Sequence, residues 1–153
     1  MTKNPPNSPT VHNRKAAYEY HILETYECGI ILKGTEIKAI REGKLDISEA
    51  YAVVQNNELI LMNSYVEEYS HGGMNAHKVR AQRKLLAHKK EIIKLKESSE
   101  VVGYTLVPTS AYFKNGKLKV AISVCKGKDH RDKRQDKAKK DAKREMDRAL
   151  KGD

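Results

Sequence analysis

VVGYTLVPTSAYFKNGKLKVAISV, residues 101–124, carries the strongest fold signal in the chain. Asn115-Gly116 stands between two runs that alternate apolar and polar side chains. Asn-Gly tolerates the two left-handed conformations that a tight hairpin turn requires. Beyond the turn Leu118, Val120, Ile122 and Val124 point one way, while Lys119, Ala121 and Ser123 point the other. Such a strand has one face for a core and one for something else.

Upstream segments continue the pattern. YEYHILETYECGIIL, residues 18–32, alternates, with Tyr18, Tyr20 and Ile22 on one side of an extended chain. Gly29 and Gly34 bracket IILK ahead of TEIKAIREG, and glycine inside such runs reads as a bulge or bend. DISEA, residues 46–50, reads as a short helix capped by Asp46 or Ser48. YAVVQNNELILMNSYV, residues 51–66, reads as two strands about an Asn56-Asn57 turn. HGGMNAH, residues 71–77, reads as a flexible loop. RAQRKLLAHKKEIIKLKE, residues 80–97, reads as the clearest helix, because Leu85, Leu86, Ile92 and Ile93 recur at seven-residue spacing. Five to seven short strands with one or two helices suit a small closed barrel of the OB type, or an open α+β sheet.

The 153 residues divide into an arm over 1–12, a core over 13–125 and a tail over 126–153. Three prolines make the arm loose, and about 110 residues suffice for one core. The tail holds twelve Lys/Arg against six Asp/Glu from Lys126 to Lys151, with Met146 and Leu150 as its only sizeable apolar side chains. It cannot build a core. Acid-first pairs four apart, Asp129–Lys133, Asp136–Lys140 and Asp147–Lys151, favour a helix, but at about 0.2–0.5 kcal/mol each they do not hold one alone in water. The tail is expected to be unfolded when free and helical when enclosed.

Net charge is +10. Lys78 to Lys96 holds eight Lys/Arg and one Glu, so this segment and the tail together exceed the total and the remainder is acidic. Sorting of this kind marks a surface for a polyanion. Tyr18, Tyr20 and Tyr26, close to Asn13, Arg14 and Lys15, have the chemistry to stack on unpaired bases. Cys28 and Cys125 lack any metal-finger spacing and read as buried or half-buried free thiols. No phosphate-cradling loop, GxSxG or HExxH motif is present. The six histidines are scattered, and a small endoribonuclease using His12 or His130 is the enzymatic rival to a binding protein. No apolar run is long enough to span a membrane and no signal-peptide pattern opens the chain, so a cytoplasmic protein is expected.

The segments NRKAAYEY, ECGIILKGTEIKAIREGK, RKLLAHKKEI, GYTLVPTSAYFKNGKLKVAI and GKDHRDKR resemble, in order and spacing, the SsrA-binding protein (SmpB) family, partners of tmRNA in bacterial ribosome rescue. The resemblance runs from about Asn13 to Arg134. It implies a mainly β fold: an OB-type closed barrel with flanking α-helices and a basic tail that is disordered when free. It implies a monomeric, non-enzymatic protein without cofactor or metal, whose partners are tmRNA and the decoding centre and mRNA channel of the small ribosomal subunit. The implied tmRNA-binding set is Asn13, Arg14, Lys15, Tyr20, Glu27, Lys38, Arg80, Arg83 and Lys84, with Leu85 supporting the two cations of RKLL. The implied ribosome-binding set in the tail is Gly127, Lys128, Arg131, Asp132, Lys133 and Arg134. Three positions depart from the family pattern: Arg131 stands where Tyr or His is usual, Asp129 where Lys is usual, and Cys28 where Ala is usual. The alternative is another small OB protein that binds ribosomal or single-stranded RNA.

Overall fold

The computed structural model describes residues 9–69, 77–128 and 130–151, and of residues 130–133, 136 and 151 the backbone alone. The expected loop 71–77 lies outside these residues except for His77, as do the first eight residues of the expected arm. The elements are β1 (Val11–His12), α1 (Arg14–Glu19), β2 (Tyr20–Ile30), α2 (Gly34–Arg41), β3 (Leu45–Asp46), β4 (Tyr51–Gln55) and β5 (Glu58–Met62). They continue as β6 (Tyr65–Val66), β7 (Arg83–Leu86), α3 (Lys89–Ser99), β8 (Tyr104–Lys114), β9 (Lys117–Gly127) and α4 (His130–Lys151). Among the described residues seven strands form one sheet in the order β1-β8-β4-β5-β7-β2-β9, with β8 and β9 also paired, and β3 pairs with β6. The protein is thus mainly β with flanking helices.

The hairpin forms where Asn115-Gly116 places it. Lys114 faces Lys117, and the turn residues take φ of 53° and 77°. The Asn56-Asn57 turn joins β4 to β5 in the same way, with φ of 51° and 62°. Leu118, Val120, Ile122 and Val124 are buried in the main core with Cys28, Leu59, Leu61, Leu85, Leu106 and Phe113. Ala39 and Ile40 of α2 and Leu95 of α3 join it. The opposite face of β9 is also covered over residues 121–125: Ala16 of α1 packs on Val107 and Cys125, with Tyr20 at the edge, and Ser123 is fully buried. Both cysteines are free and buried, and burial pushes each thiol up to about 11.

Several expectations change. Residues 80–97 are not one helix: Arg83–Leu86 is a strand and the helix starts at Lys89. The seven-residue recurrence spans two elements. In β7 Arg83 and Leu85 face inward while Lys84 and Leu86 face out, a period of two. DISEA forms no helix; Asp46 accepts the Ser48 N–H at 2.8 Å and the capping chemistry closes a turn instead. Tyr18 belongs to α1, not to an extended strand, and Gly34 begins α2. The register shifts lie between Ile22 and Glu24 and between Pro108 and Ser110, away from the bracketing glycines. Val11 and His12, read as the end of a loose arm, pair with Ala111 and Ser110.

The tail, expected to be unfolded when free, is the helix α4 here. Its Ala, Lys and Arg content favours helix, against four Asp. Every α4 side chain that is described is exposed, so among the described residues the helix has no packed face.

Candidate nucleic-acid interface

Strand register assembles the first patch. Directly paired residues share a face of a sheet. Tyr112 faces Lys119, Lys119 faces Gly29, and Gly29 faces Leu86, so one row crosses β8, β9, β2 and β7. Glu27 lies two residues before Gly29 on the same face. Its carboxylate accepts hydrogen bonds from the Tyr112 hydroxyl and, at 3.3 Å, from Lys114 Nζ. These bonds, the tyrosine's first and the lysine's next, hold the Glu27 carboxyl below its usual range. The pairing therefore persists as pH falls until the lowered carboxyl titrates. Reciprocally, the carboxylate pushes the Tyr112 hydroxyl up to about 12. Glu27→Gln is expected to return Tyr112 toward 10 in an ultraviolet pH titration; a curve identical to wild type would disprove the contact.

Lys114 and Lys117 face each other across the turn and Lys119 follows one row in. Like charges placed opposite one another destabilise a hairpin, and an anion seated between them removes the repulsion. The sequence reading passed over this third basic cluster because it counted charge along the chain. The outward parity of Lys117 and Lys119 in KLKV was the available signal.

The second patch surrounds α2. Lys38 lies over the Tyr69 ring at 5.7 Å and Arg80 over Tyr65 at 5.2 Å. Arg80 also donates to Asn63 Oδ1 at 3.0 Å. Both cations are held on aromatic faces and turned to the surface. Lys84 points outward on the face of β7 that Leu86 shares with the first patch, paired with Glu58 at 3.3 Å. Arg83 does not share this surface. Its side chain is 2% exposed and forms an ion pair with buried Glu36. It also donates to Ser64 Oγ at 2.9 Å and to the carbonyls of Ser64, Ala81, Lys78 and Val79. No phosphate reaches it. Glu36, which the sequence reading missed as its partner, also accepts the Lys33 N–H at 2.8 Å at the start of α2. His77 is buried beside this network, bonded to Thr35 Oγ1 at 3.0 Å and Val66 O at 3.1 Å.

The third group lies at the root of the tail. Asn13 is 5% exposed and caps α1: its Oδ1 accepts the Ala16 N–H, and its Nδ2 donates to Pro108 O at 2.8 Å and Ile47 O at 3.0 Å. It is a clamp among α1, β8 and the 46–50 turn. Arg14 is exposed, Lys15 pairs with Glu49, and Tyr20 is half-buried at the end of α1, its hydroxyl pushed up mainly by burial. Gly127 faces Tyr20 in the β2–β9 ladder. Lys128 donates its N–H to Glu19 O at 2.9 Å and its Nζ to Ala17 O at 3.0 Å, meeting the open carbonyls of α1 where a cation is favoured. Arg134 is exposed on α4; the side chains of Arg131, Asp132 and Lys133 lie outside the described residues.

Residues 10–152, nearly the whole chain, match the SmpB protein family. The chain belongs to the SmpB family. It is 46% identical over 147 residues to the SsrA-binding protein of Desulforudis audaxviator, covering 96% of each chain. It is 46% identical over 151 residues to that of Clostridium tetani, covering 99% of this chain and 97% of the relative. A solved structure named "tmRNA-SmpB: a journey to the center of the bacterial ribosome" superposes with a TM-score of 0.69 at 43% identity, over 80% of this chain and 87% of that one. In SmpB family terms, the three patches lie within the matched residues, and no helix among the described residues is long and apolar enough to cross a membrane.

Proposed function

We propose that this protein is a non-enzymatic RNA-binding factor of trans-translation. It binds the tRNA-like domain of tmRNA, carries it to stalled ribosomes, and lays its basic tail in the vacant mRNA channel beyond the decoding site. The identity to SsrA-binding proteins over nearly full length carries this reading. The sheet is an OB-type closed barrel: the pairings β8–β4, β4–β5, β5–β7, β7–β2, β2–β9 and β9–β8 return to their starting strand. The protein acts as a cytoplasmic monomer.

On this reading the surface contacts are Glu27, Lys114, Lys117 and Lys119, with Lys84 on the same outward face as Leu86, then Lys38 and Arg80 beside α2, and Arg14 and Lys15 near the tail. Asn13 and Arg83 serve from beneath. Glu27 accepts hydrogen bonds from a base edge while its tyrosine and lysine partners hold it in place. The tail helix, with no packed face of its own, frays in water and is held by the channel walls; Arg131 and Arg134 present planar guanidinium groups there.

Sequencing the RNA that co-purifies with the full chain tests the proposal. tmRNA is expected to dominate over bulk tRNA; enrichment of ribosomal or unrelated single-stranded RNA instead would move the protein to the alternative reading. A second test uses salt. Each lost phosphate contact lowers the slope of log affinity against log salt by about 0.7–0.9. Lys117→Ala and Lys119→Ala are each expected to do so, and slopes equal to wild type would remove both lysines from the interface.

A further inference from the structure

An apolar depression of about 460 Å³ opens beside the Glu27 patch. Ile31, Leu32, Ile37, Leu86 and Phe113 are among its walls, and Arg41, Lys117 and Lys119 also line it. Ile31 is 53% and Leu86 50% exposed, an unusual placement for two aliphatic side chains beside three cations. No ion pair among the described residues engages Arg41, Lys117 or Lys119.

Gly29 keeps the depression open. It faces Lys119 on one side and Leu86 on the other. Its φ is not in the positive range, so the backbone does not demand glycine. A Cβ built there meets Leu86 Cβ at 3.4 Å and Cδ1 at 3.7 Å, which is ordinary contact. A side chain therefore fits at residue 29, and what it would do is fill the space. Glycine in a strand interior otherwise weakens the strand and marks a place where a ligand comes close.

An aliphatic floor alone suits any apolar group, and three cations alone suit any phosphate. An unstacked nucleotide needs both, because its base has an apolar face and its backbone is anionic. The volume lies within the range of small-ligand sites. We infer that this depression holds one unpaired nucleobase of the bound RNA, with the adjoining phosphates on Lys117, Lys119 and Arg41. The inference rests on the RNA-binding reading above and adds a base subsite to it.

Methyl-labelled full-length protein, titrated with a hexamer of riboadenosine and with an abasic hexamer of the same length, tests the subsite. The adenosine hexamer is expected to shift the methyl signals of Ile31, Leu32, Ile37 and Leu86 and to bind about tenfold tighter than the abasic one. Gly29→Val is expected to keep or raise the melting temperature, abolish those shifts and weaken binding of the tRNA-like domain of tmRNA about tenfold. Ile31→Gln, at an exposed position that leaves the core intact, is expected to act likewise and decides the matter if the valine variant folds poorly. Equal affinity for the two hexamers, or unchanged shifts in both variants, overturns the subsite. Failure of the broader reading shows separately: the wild-type chain would then not prefer the tRNA-like domain of tmRNA to an ordinary tRNA, whatever the hexamers do.

Discussion

Arg83→Ala is expected to destabilise the fold by about 3–5 kcal/mol, because it strands the Glu36 carboxylate in a buried site without its partner. The ion pair is nearly inaccessible, at 2% and 5% side-chain exposure. The guanidinium also satisfies Ser64 Oγ and four carbonyls, none of which alanine can serve. Against a total stability of roughly 5–15 kcal/mol the loss is large. At roughly 2–4 °C per kcal/mol it lowers Tm by about 6–20 °C. Urea unfolding and thermal melts measure it directly. Replacing both partners by apolar residues of similar volume, Arg83→Met with Glu36→Leu, is expected to recover much of the loss, since the cost lies mainly in leaving one charge uncompensated. If Arg83 were instead a phosphate contact, Arg83→Ala would weaken RNA capture and leave the melt untouched. That outcome would refute the placement described above.

Ending the chain after Asp129 is expected to leave affinity for the tRNA-like domain of tmRNA within a few fold and to stop peptide tagging on stalled ribosomes. The described α4 side chains are exposed and none adds to either core, so the sheet and its cores lose no packing and the Tm stays within about 1 °C. Residues 130–151 carry ten Lys/Arg and five Asp/Glu, and the modest drop in affinity is the loss of that diffuse attraction. The cut belongs at this point. A cut at Lys126 would also remove the last rungs of β9 and the Lys128 bonds to α1, mixing damage to the core with loss of the tail. Gel shifts and an in vitro tagging reaction on a message without a stop codon give the two readouts. Equal loss of both would contradict the separation of anchoring core from channel-seeking tail.

Local chemistry made the hairpins readable in the sequence: Asn115-Gly116 and Asn56-Asn57 specify their turns whatever surrounds them. The alternation after Gly116 likewise predicted which β9 side chains enter the main core. The segment 80–97 misled because Leu85-Leu86 and Ile92-Ile93 are seven apart by accident of a strand followed by a helix, and period alone cannot show a break at His88. Arg83 misled for a related reason. In a run of cations one side chain can turn inward if a carboxylate waits 47 positions away, and only the fold brings Glu36 there. Asn13 is expected from the resemblance to meet RNA, whereas the clamp it forms depends on carbonyls 34 and 95 residues distant, which no local pattern shows. The lysines of the hairpin end became a surface only when β2 and β7 were laid beside them.

Lys128 ties the first step of the tail to the last turn of α1. A chain hung from a limp joint would sweep every direction and meet a narrow opening rarely. Here Lys128 is braced by two bonds to α1 just ahead of the tail, so the 22 residues of α4, about 33 Å at 1.5 Å per residue, start from a fixed foot. If the core grips tmRNA and the tail enters the mRNA channel, as proposed, the point from which the probe starts its search is set by the body that holds the cargo, and a change in how α1 ends would shift that point without touching the probe.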